Sequence, residues 1–197
     1  SYAKTNTTLR VAVDELTDYT YFAQSYNINS SDGRTKTQVG VRQSSKPINV
    51  LTASLTQDMT WGPLHWENEL TFQNSSNQDA LPLPKFNVYT NLYLRFKIAH
   101  VLKCDFGADG TYFTKYIAPD YSPALGQFVV QENQEKIEIG NYPIVNVYAN
   151  FHLKQTRFFV MYSHANAGSG NKQSFLVPHY PINERILRFG LSWNFFN

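Results

Sequence analysis

The stretch Phe86-Asn87-Val88-Tyr89-Thr90-Asn91-Leu92-Tyr93-Leu94-Arg95-Phe96-Lys97-Ile98 decides the fold. Its even positions read Phe, Val, Thr, Leu, Leu, Phe, Ile; its odd positions read Asn, Tyr, Asn, Tyr, Arg, Lys. Successive side chains of a strand point to opposite faces, so this period of two describes one apolar face and one wet face. On a helix the same apolar residues would be spread around the whole cylinder.

The pattern extends outward. Leu102, Cys104, Phe106, Ala108, Gly110 and Tyr112 oppose Lys103, Asp105, Gly107, Asp109 and Thr111, after only a tight link near Ala99 and His100, so the pair reads as a hairpin. Leu9, Val11 and Val13 oppose Arg10, Ala12 and Asp14. Leu51, Ala53, Leu55, Met59 and Trp61 oppose Thr52, Ser54, Thr56, Asp58 and Thr60, with Gln57 an exception on the apolar side. Leu64, Trp66, Leu70 and Phe72 oppose His65, Glu67, Glu69 and Thr71. Val145, Val147, Ala149, Phe151 and Leu153 oppose Asn146, Tyr148, Asn150, His152 and Lys154, and Leu187, Phe189, Leu191, Trp193 and Phe195 oppose Arg188, Gly190, Ser192 and Asn194. Tyr19 to Tyr26 alternates less cleanly, and Arg157 to His164 is apolar on both faces. The sum is about nine strands, each long enough to cross a bilayer at a tilt, and no amphipathic helix.

Composition narrows the class. The chain has 197 residues, a formal net charge of +2 and 16% charged residues, against about 25% in an ordinary soluble domain. With 14 Phe, 13 Tyr and 3 Trp it is not a disordered coil. Cys104 is the single cysteine, so there is no disulfide framework, and it falls on the apolar side as a small hydrophobe. The near-neutral balance lacks the basic stripe of a nucleic-acid binder. No apolar run is long enough for a membrane helix, and Ser1 to Thr5 does not begin a signal peptide. A mean hydropathy of −0.39 looks soluble, but a transmembrane β-barrel hides its apolar band in alternate residues.

Connections alternate in length. Short links fall at Leu16-Thr17, Gly62-Pro63, Ala99-His100 and Gln155-Thr156; long ones span Asn27 to Pro47, Asn74 to Lys85, Ile117 to Asn141 and Ala165 to Glu184. Outer-membrane barrels place short turns at the periplasmic rim and long loops outside. Trp61 and Trp66 flank one short turn and Trp193, Phe195 and Phe196 end the chain, as expected of a periplasmic aromatic girdle. The apolar faces carry essentially no charge, whereas the opposite faces carry Glu67, Glu69, Arg95, Lys97, Lys103, Asp105, Asp109, Lys154 and Arg188. In a barrel these nine residues line a polar lumen. In a soluble sandwich they would point to bulk water.

The chain ends Arg188-Phe189-Gly190-Leu191-Ser192-Trp193-Asn194-Phe195, which resembles the signal by which outer-membrane assembly machinery recognises a last strand, with Arg188, Gly190, Trp193 and Phe195 in the defining places; Phe196 and Asn197 follow it. An edge strand with an aromatic face is a template for strand addition. Further motifs are Trp61-Gly62-Pro63-Leu64-His65-Trp66-Glu67-Asn68-Glu69, Ser76-Asn77-Gln78-Asp79-Ala80-Leu81-Pro82-Leu83-Pro84, Tyr112-Phe113-Thr114-Lys115-Tyr116 with Ala118-Pro119, Pro123-Ala124-Leu125-Gly126-Gln127-Phe128, Ile139-Gly140-Asn141-Tyr142-Pro143 and Val177-Pro178-His179-Tyr180-Pro181. With these motifs, from about Leu9 onward, the chain resembles the β-barrel porin family of Bacteroidota outer membranes. The resemblance implies an outer-membrane location and a pore, and supplies no catalytic residue. Family members are longer, so residues 1–197 would correspond to the C-terminal part of a single barrel domain. Strand parity points the same way: nine strands ending in the periplasm begin outside, whereas a complete barrel has an even number. Upstream strands of the chain, or another chain, would then close the barrel, because an open edge in lipid leaves unpaired backbone groups.

Other motifs carry less. His65, His100, His152, His164 and His179 lack metal-ligand spacing. No strained nucleophile motif marks a serine, and Asp105/Asp109 or Glu67/Glu69 read as pore lining ahead of a catalytic carboxylate pair. Asn6-Thr7-Thr8, Asn29-Ser30-Ser31 and Asn74-Ser75-Ser76 match the glycosylation acceptor pattern at chance frequency. The segment Ile117 to Asn141 either extends its hairpin above the membrane or folds inward as a constriction.

The expectation is an all-β, antiparallel, up-and-down transmembrane β-barrel in a bacterial outer membrane, acting as a passive diffusion channel for small hydrophilic solutes. It would need no metal, cofactor or catalytic residue and bind no nucleic acid. Its partners would be outer-membrane lipid, the barrel-assembly machinery and the strands that close it. A non-conducting barrel acting through its loops or within a membrane assembly is the alternative, and an outer-membrane hydrolase comes third.

Overall fold

An alternating strand needs neighbours whose alternation is in phase with its own, because a one-residue slip would send apolar side chains to the wet face. The computed structural model, which describes residues 4–28, 35–132, 136–169 and 175–195, meets that condition across one large sheet. Its strands in chain order are β1 (Lys4–Leu16), β2 (Thr20–Ile28), β3 (Thr35–Gln43), β4 (Ile48–Trp61), β5 (Leu64–Ser75), β6 (Phe86–Ile98), β7 (Leu102–Phe113) and β8 (Tyr116–Ile117). They continue as β9 (Asp120–Ser122), β10 (Gln127–Gln131), β11 (Glu138–Ile139), β12 (Ile144–Leu153), β13 (Thr156–Ser163), β14 (Phe175–Val177), β15 (Tyr180–Pro181) and β16 (Ile186–Trp193). There is no helix among the described residues.

Eight strands form the main sheet in the order β1-β4-β5-β6-β7-β12-β13-β16, each antiparallel to the next. Cross-strand rows carry the apolar face from edge to edge: Met59 opposes Trp66, which opposes Leu92, then Ala108, Val147, Tyr162 and Leu187. Another runs Phe96, Cys104, Phe151, Phe158, Leu191. One row breaks the rule, with Thr7, Gln57, Asn68 and Thr90 in register on the apolar side. At its β5–β6 end polar atoms satisfy one another: the Trp66 indole N–H donates to Thr90 Oγ1 at 2.9 Å, and the Thr90 hydroxyl donates to Asn68 Oδ1 at 2.7 Å.

The nine-strand count is corrected to eight in this sheet. Tyr19 to Tyr26 falls mainly in β2, which pairs with β3 and, in parallel, with β10, outside the main sheet. The short link at Leu16-Thr17 therefore leads into an inserted hairpin, and the true neighbour of β1 is β4, with Leu16 opposite Ile48. Once this is placed, the alternation of connection lengths becomes strict. Short turns join β4 to β5, β6 to β7 and β12 to β13 at one rim; residues 17–47, 76–85, 114–143 and 164–185 make the long connections at the other. The parity step fails with the count, since β1 starts at the rim where β16 ends. The sheet is also not closed: β1 and β16 are its two edges.

The turns use left-handed backbone. Ala99 and His100 have φ of 49° and 63°, Gly62 59° and Lys154 51°. Consecutive left-handed residues belong to primed hairpin turns, whose twist matches that of the strands. Lys154 accordingly belongs to the β12–β13 turn, a correction to its place on a strand face.

The hydrophobic core lies among the long connections. Ala23, Ala80, Ala118, Val129, Val130, Ile139 and Tyr142 are buried there, and Val129, Asp120 and Pro178 are among the most enclosed side chains of the molecule. The elements β2, β3, β9 and β10 form one small sheet, and β8–β11 and β14–β15 two more. Long-range contacts knit them together: Arg42 pairs with Glu132 at 2.9 Å, Lys136 with Asp79 at 2.9 Å, His179 with Asp120 at 3.1 Å, and Lys115 with Glu138. The Glu132 carboxylate holds the Arg42 guanidinium above its ordinary range. Burial pushes the Tyr116 phenol up. The described residues of the segment Ile117 to Asn141 thus pack into a cap at the long-connection rim and draw β2 into it.

Candidate functional site

The two faces of the main sheet differ in exposure as well as in composition. Most large side chains of the apolar face are open, with Leu9 70%, Leu92 47% and Phe189 74% exposed, although Cys104 is buried. On the polar face Asn91, Tyr93 and Asp105 are buried, and cavities line it, so this is the concave side. The concave polar face is the candidate site.

Its middle is a hydrogen-bonded network. Glu67 accepts from the Tyr93 hydroxyl at 2.8 Å and from Asn91 Nδ2 at 3.2 Å; Tyr148 donates to Asn91 Oδ1 at 2.8 Å; Asn146 donates to Asp109 at 2.8 Å. The rings of Tyr93 and Tyr148 can reach across because Gly107 lies between their strands. A Cβ there would come within 2.5 Å of Tyr93 Cβ and 2.8 Å of the Tyr148 hydroxyl. His65 stacks on Tyr93 at 4.8 Å between centroids. Glu69 lies on the same face opposite Thr56 and Tyr89. A cavity of about 450 Å³ runs over Tyr89, Asn91, Asp109, Tyr148 and Asn150.

Toward the short-turn rim, Arg95 meets its cross-strand partner Asp105 through Nε at 2.8 Å and a second nitrogen at 3.1 Å. The bidentate geometry satisfies a carboxylate that is otherwise shielded from water. Below them Lys97 opposes Lys103, and a cavity of about 480 Å³ is lined by Arg95, Lys97, His100, Lys103, Asp105, His152 and Lys154.

Toward the other rim, Arg188 lines a cavity of about 220 Å³ with Asn146, Met161, His164 and residues Leu176 and Ile182 to Glu184 of the last long connection, which leans over this face. His164 is held between the Tyr142 hydroxyl at 2.7 Å and the Asn183 carbonyl at 2.7 Å.

All nine charged residues expected to line a lumen are therefore accounted for: eight on the concave face and Lys154 in its rim turn. The residues of the terminal motif divide. Gly190 makes room for the Phe159 ring, 2.6 Å from where a Cβ would stand. This explains why β13 looks apolar on both sides, because Phe159 and Met161 fill inner positions. Trp193 is exposed and stacks on Phe195 at 5.6 Å on the opposite face. Phe196, Asn197 and the Asn29-Ser30-Ser31 motif lie outside the described residues. Sequence reasoning passed over Asn91, Tyr93, Asn146 and Tyr148, although alternation already puts them on the wet face. Among the described residues no group of histidines, cysteines and acids is arranged to hold a metal.

A family model described as "Putative porin" matches residues 1–197, the whole chain. The chain belongs to that family. No curated protein and no solved structure matches it. A porin-like role agrees with a sheet that gathers its charges on one face and bares an apolar face on the other.

Proposed function

We propose that this protein inserts into a bacterial outer membrane by the convex apolar face of its main sheet, as part of an up-and-down β-barrel, and conducts small hydrophilic solutes by passive diffusion along the concave polar face. The observation that carries the reading is the bare apolar face. Its exposed side chains present on the order of 1,500 Å², several times the largest patch of a typical soluble monomer. Transfer of that area to hydrocarbon is favourable by on the order of 40 kcal/mol at about 25 cal/mol/Å². Apart from Glu15 at the long-connection end of β1, no acid, lysine or arginine interrupts that face among the described residues.

In this reading the short-turn rim, with Trp61 and Trp193, faces the periplasm and the capped rim faces outside. Residues 1–197 form part of one barrel domain, and the edges β1 and β16 pair with further strands, from the chain's own upstream part or another chain, after delivery by the assembly machinery. Mixed charges along the lumen set size and charge selection. No catalytic step is assigned to it, and no cofactor or nucleic acid enters the mechanism.

Recording from planar bilayers with the full-length protein tests the proposal: stepwise conductance is expected, and a membrane that stays sealed at saturating protein overturns it. A second reading, a non-conducting barrel that acts through its loops, is favoured by one feature, the packed cap at the long-connection rim.

A further inference from the structure

Register on the concave face sets four basic residues side by side. Lys97 of β6 is directly opposite Lys103 of β7, Lys103 opposite His152 of β12, and His152 opposite Arg157 of β13. Directly opposed like charges on a sheet face are unfavourable, so the Lys97–Lys103 pair is a cost that folding alone does not explain. The adjacent turns add Lys154 and His100 to the same rim.

One carboxylate, Asp105, lines the same cavity and attracts Lys103 and His152 electrostatically. Both of its ion-pair hydrogen bonds go to Arg95, which leaves the row with a surplus of positive charge. Among the described residues no acid pairs with Lys97, Lys103 or Lys154. Arg157 donates to Asn150 Oδ1 at 3.1 Å, a neutral partner. The acids Glu67, Glu69 and Asp109 lie farther along the strands, toward the capped rim. Lys97, Lys103, Lys154, His100 and His152 surround one cavity of about 480 Å³, with room for a small hydrated anion.

We propose that this belt binds a soluble phosphate-bearing anion at the short-turn mouth of the lumen. Cross-strand neighbours stand about 5 Å apart at Cβ, so lysine ammoniums from adjacent strands can converge on one multiply charged oxyanion, as point-charge ligands for phosphate do. A compact polyanion relieves the Lys97–Lys103 repulsion and reaches Lys154 of the same cavity as well, which a single carboxylate does less completely. The belt would raise the local concentration of such solutes at the mouth. This deepens the porin reading and depends on the polar face being the wet one.

The test is calorimetric titration of inorganic pyrophosphate into the full-length protein in phosphatidylcholine nanodiscs, together with melting curves. Saturable binding is expected, weakened at least tenfold by the double substitution Lys97→Gln and Lys103→Gln, several-fold by Lys154→Gln alone, and unchanged by Lys115→Gln in the cap. Without pyrophosphate the double variant should melt above the parent, because repulsion is removed; with it the parent should gain more. A merely structural belt would show the reverse order without ligand. Absence of saturable binding, or equal affinity in parent and both belt variants, overturns the proposal. Loss of pyrophosphate binding in discs rich in phosphatidylglycerol overturns it in favour of a lipid headgroup. The outcomes separate from the pore test: a sealed bilayer with pyrophosphate still bound refutes conduction alone, and conduction without binding refutes the belt alone.

Discussion

Replacing Leu92 by arginine distinguishes lipid from water on the convex face. Leu92 lies midway along the 13 residues of β6, on the apolar side, between Trp66 and Ala108 of the neighbouring strands. At about 3.3 Å per residue β6 is about 40 Å long, which a tilt of about 40° reduces to about 30 Å of height. That matches a hydrocarbon core, and it puts Leu92 near mid-depth. A guanidinium there should cost roughly 2–4 kcal/mol, and the cost should fall to about 0–1 kcal/mol for Ile98→Arg at the rim. On a water-exposed face the same change at a residue 47% exposed would stay within about 0.5 kcal/mol. Tyr89→Arg on the concave face is the control. It places the charge opposite Glu69, and a change within about 0.5 kcal/mol is expected. Guanidinium unfolding from lipid vesicles, with equal slopes required before free energies are compared, reads all three. Lipid contact on the convex face is excluded if Leu92→Arg is as well tolerated as Ile98→Arg, or if Tyr89→Arg is the costliest of the set.

Two further substitutions test the local geometry. Gly107→Ala should destabilise by about 1–3 kcal/mol, because the new methyl meets Tyr93 Cβ at 2.5 Å and the Leu92 carbonyl at 2.8 Å, neither of which can swing aside; an unchanged unfolding midpoint would contradict the packing. Ala99→Gly should stabilise by about 0.5–1 kcal/mol, since φ of 49° strains an alanine and not a glycine; a lower midpoint in the same assay would count against the turn.

How much of this was legible in the sequence follows from which faces are covered. The strands β4 to β7 alternate cleanly because each turns one face to the polar trough and bares an apolar face on the other side. β2 does not alternate because neighbouring Ala23 and Gln24 are both buried, so both faces are packed in the cap and the period of two disappears. From sequence β2 therefore reads only as a strand without a clean face, with nothing to set it apart from the main sheet, and β3, with Thr35, Lys36, Thr37 and Gln38 at its start, reads as loop. The lumen charges could be assigned to a face from alternation alone. Their partners could not, because Arg95–Asp105 and Tyr93–Glu67 depend on register, which the turn geometry sets. Lys154 was misplaced for the same reason: its positive φ ends the strand one residue early.

The separation of the buried core in the cap from the open convex face divides the chain by how freely it can vary. If the convex face meets acyl chains, as proposed, its partners have no fixed shape, so a leucine at position 70, 92 or 187 needs only to be greasy, and valine, phenylalanine or isoleucine would serve there. Val129, Asp120 and Gly107 must each fit one contour. Over evolutionary time the convex surface should drift quickly among apolar residue types while the cap and the trough hold still, the opposite of a water-soluble protein, whose interior changes last.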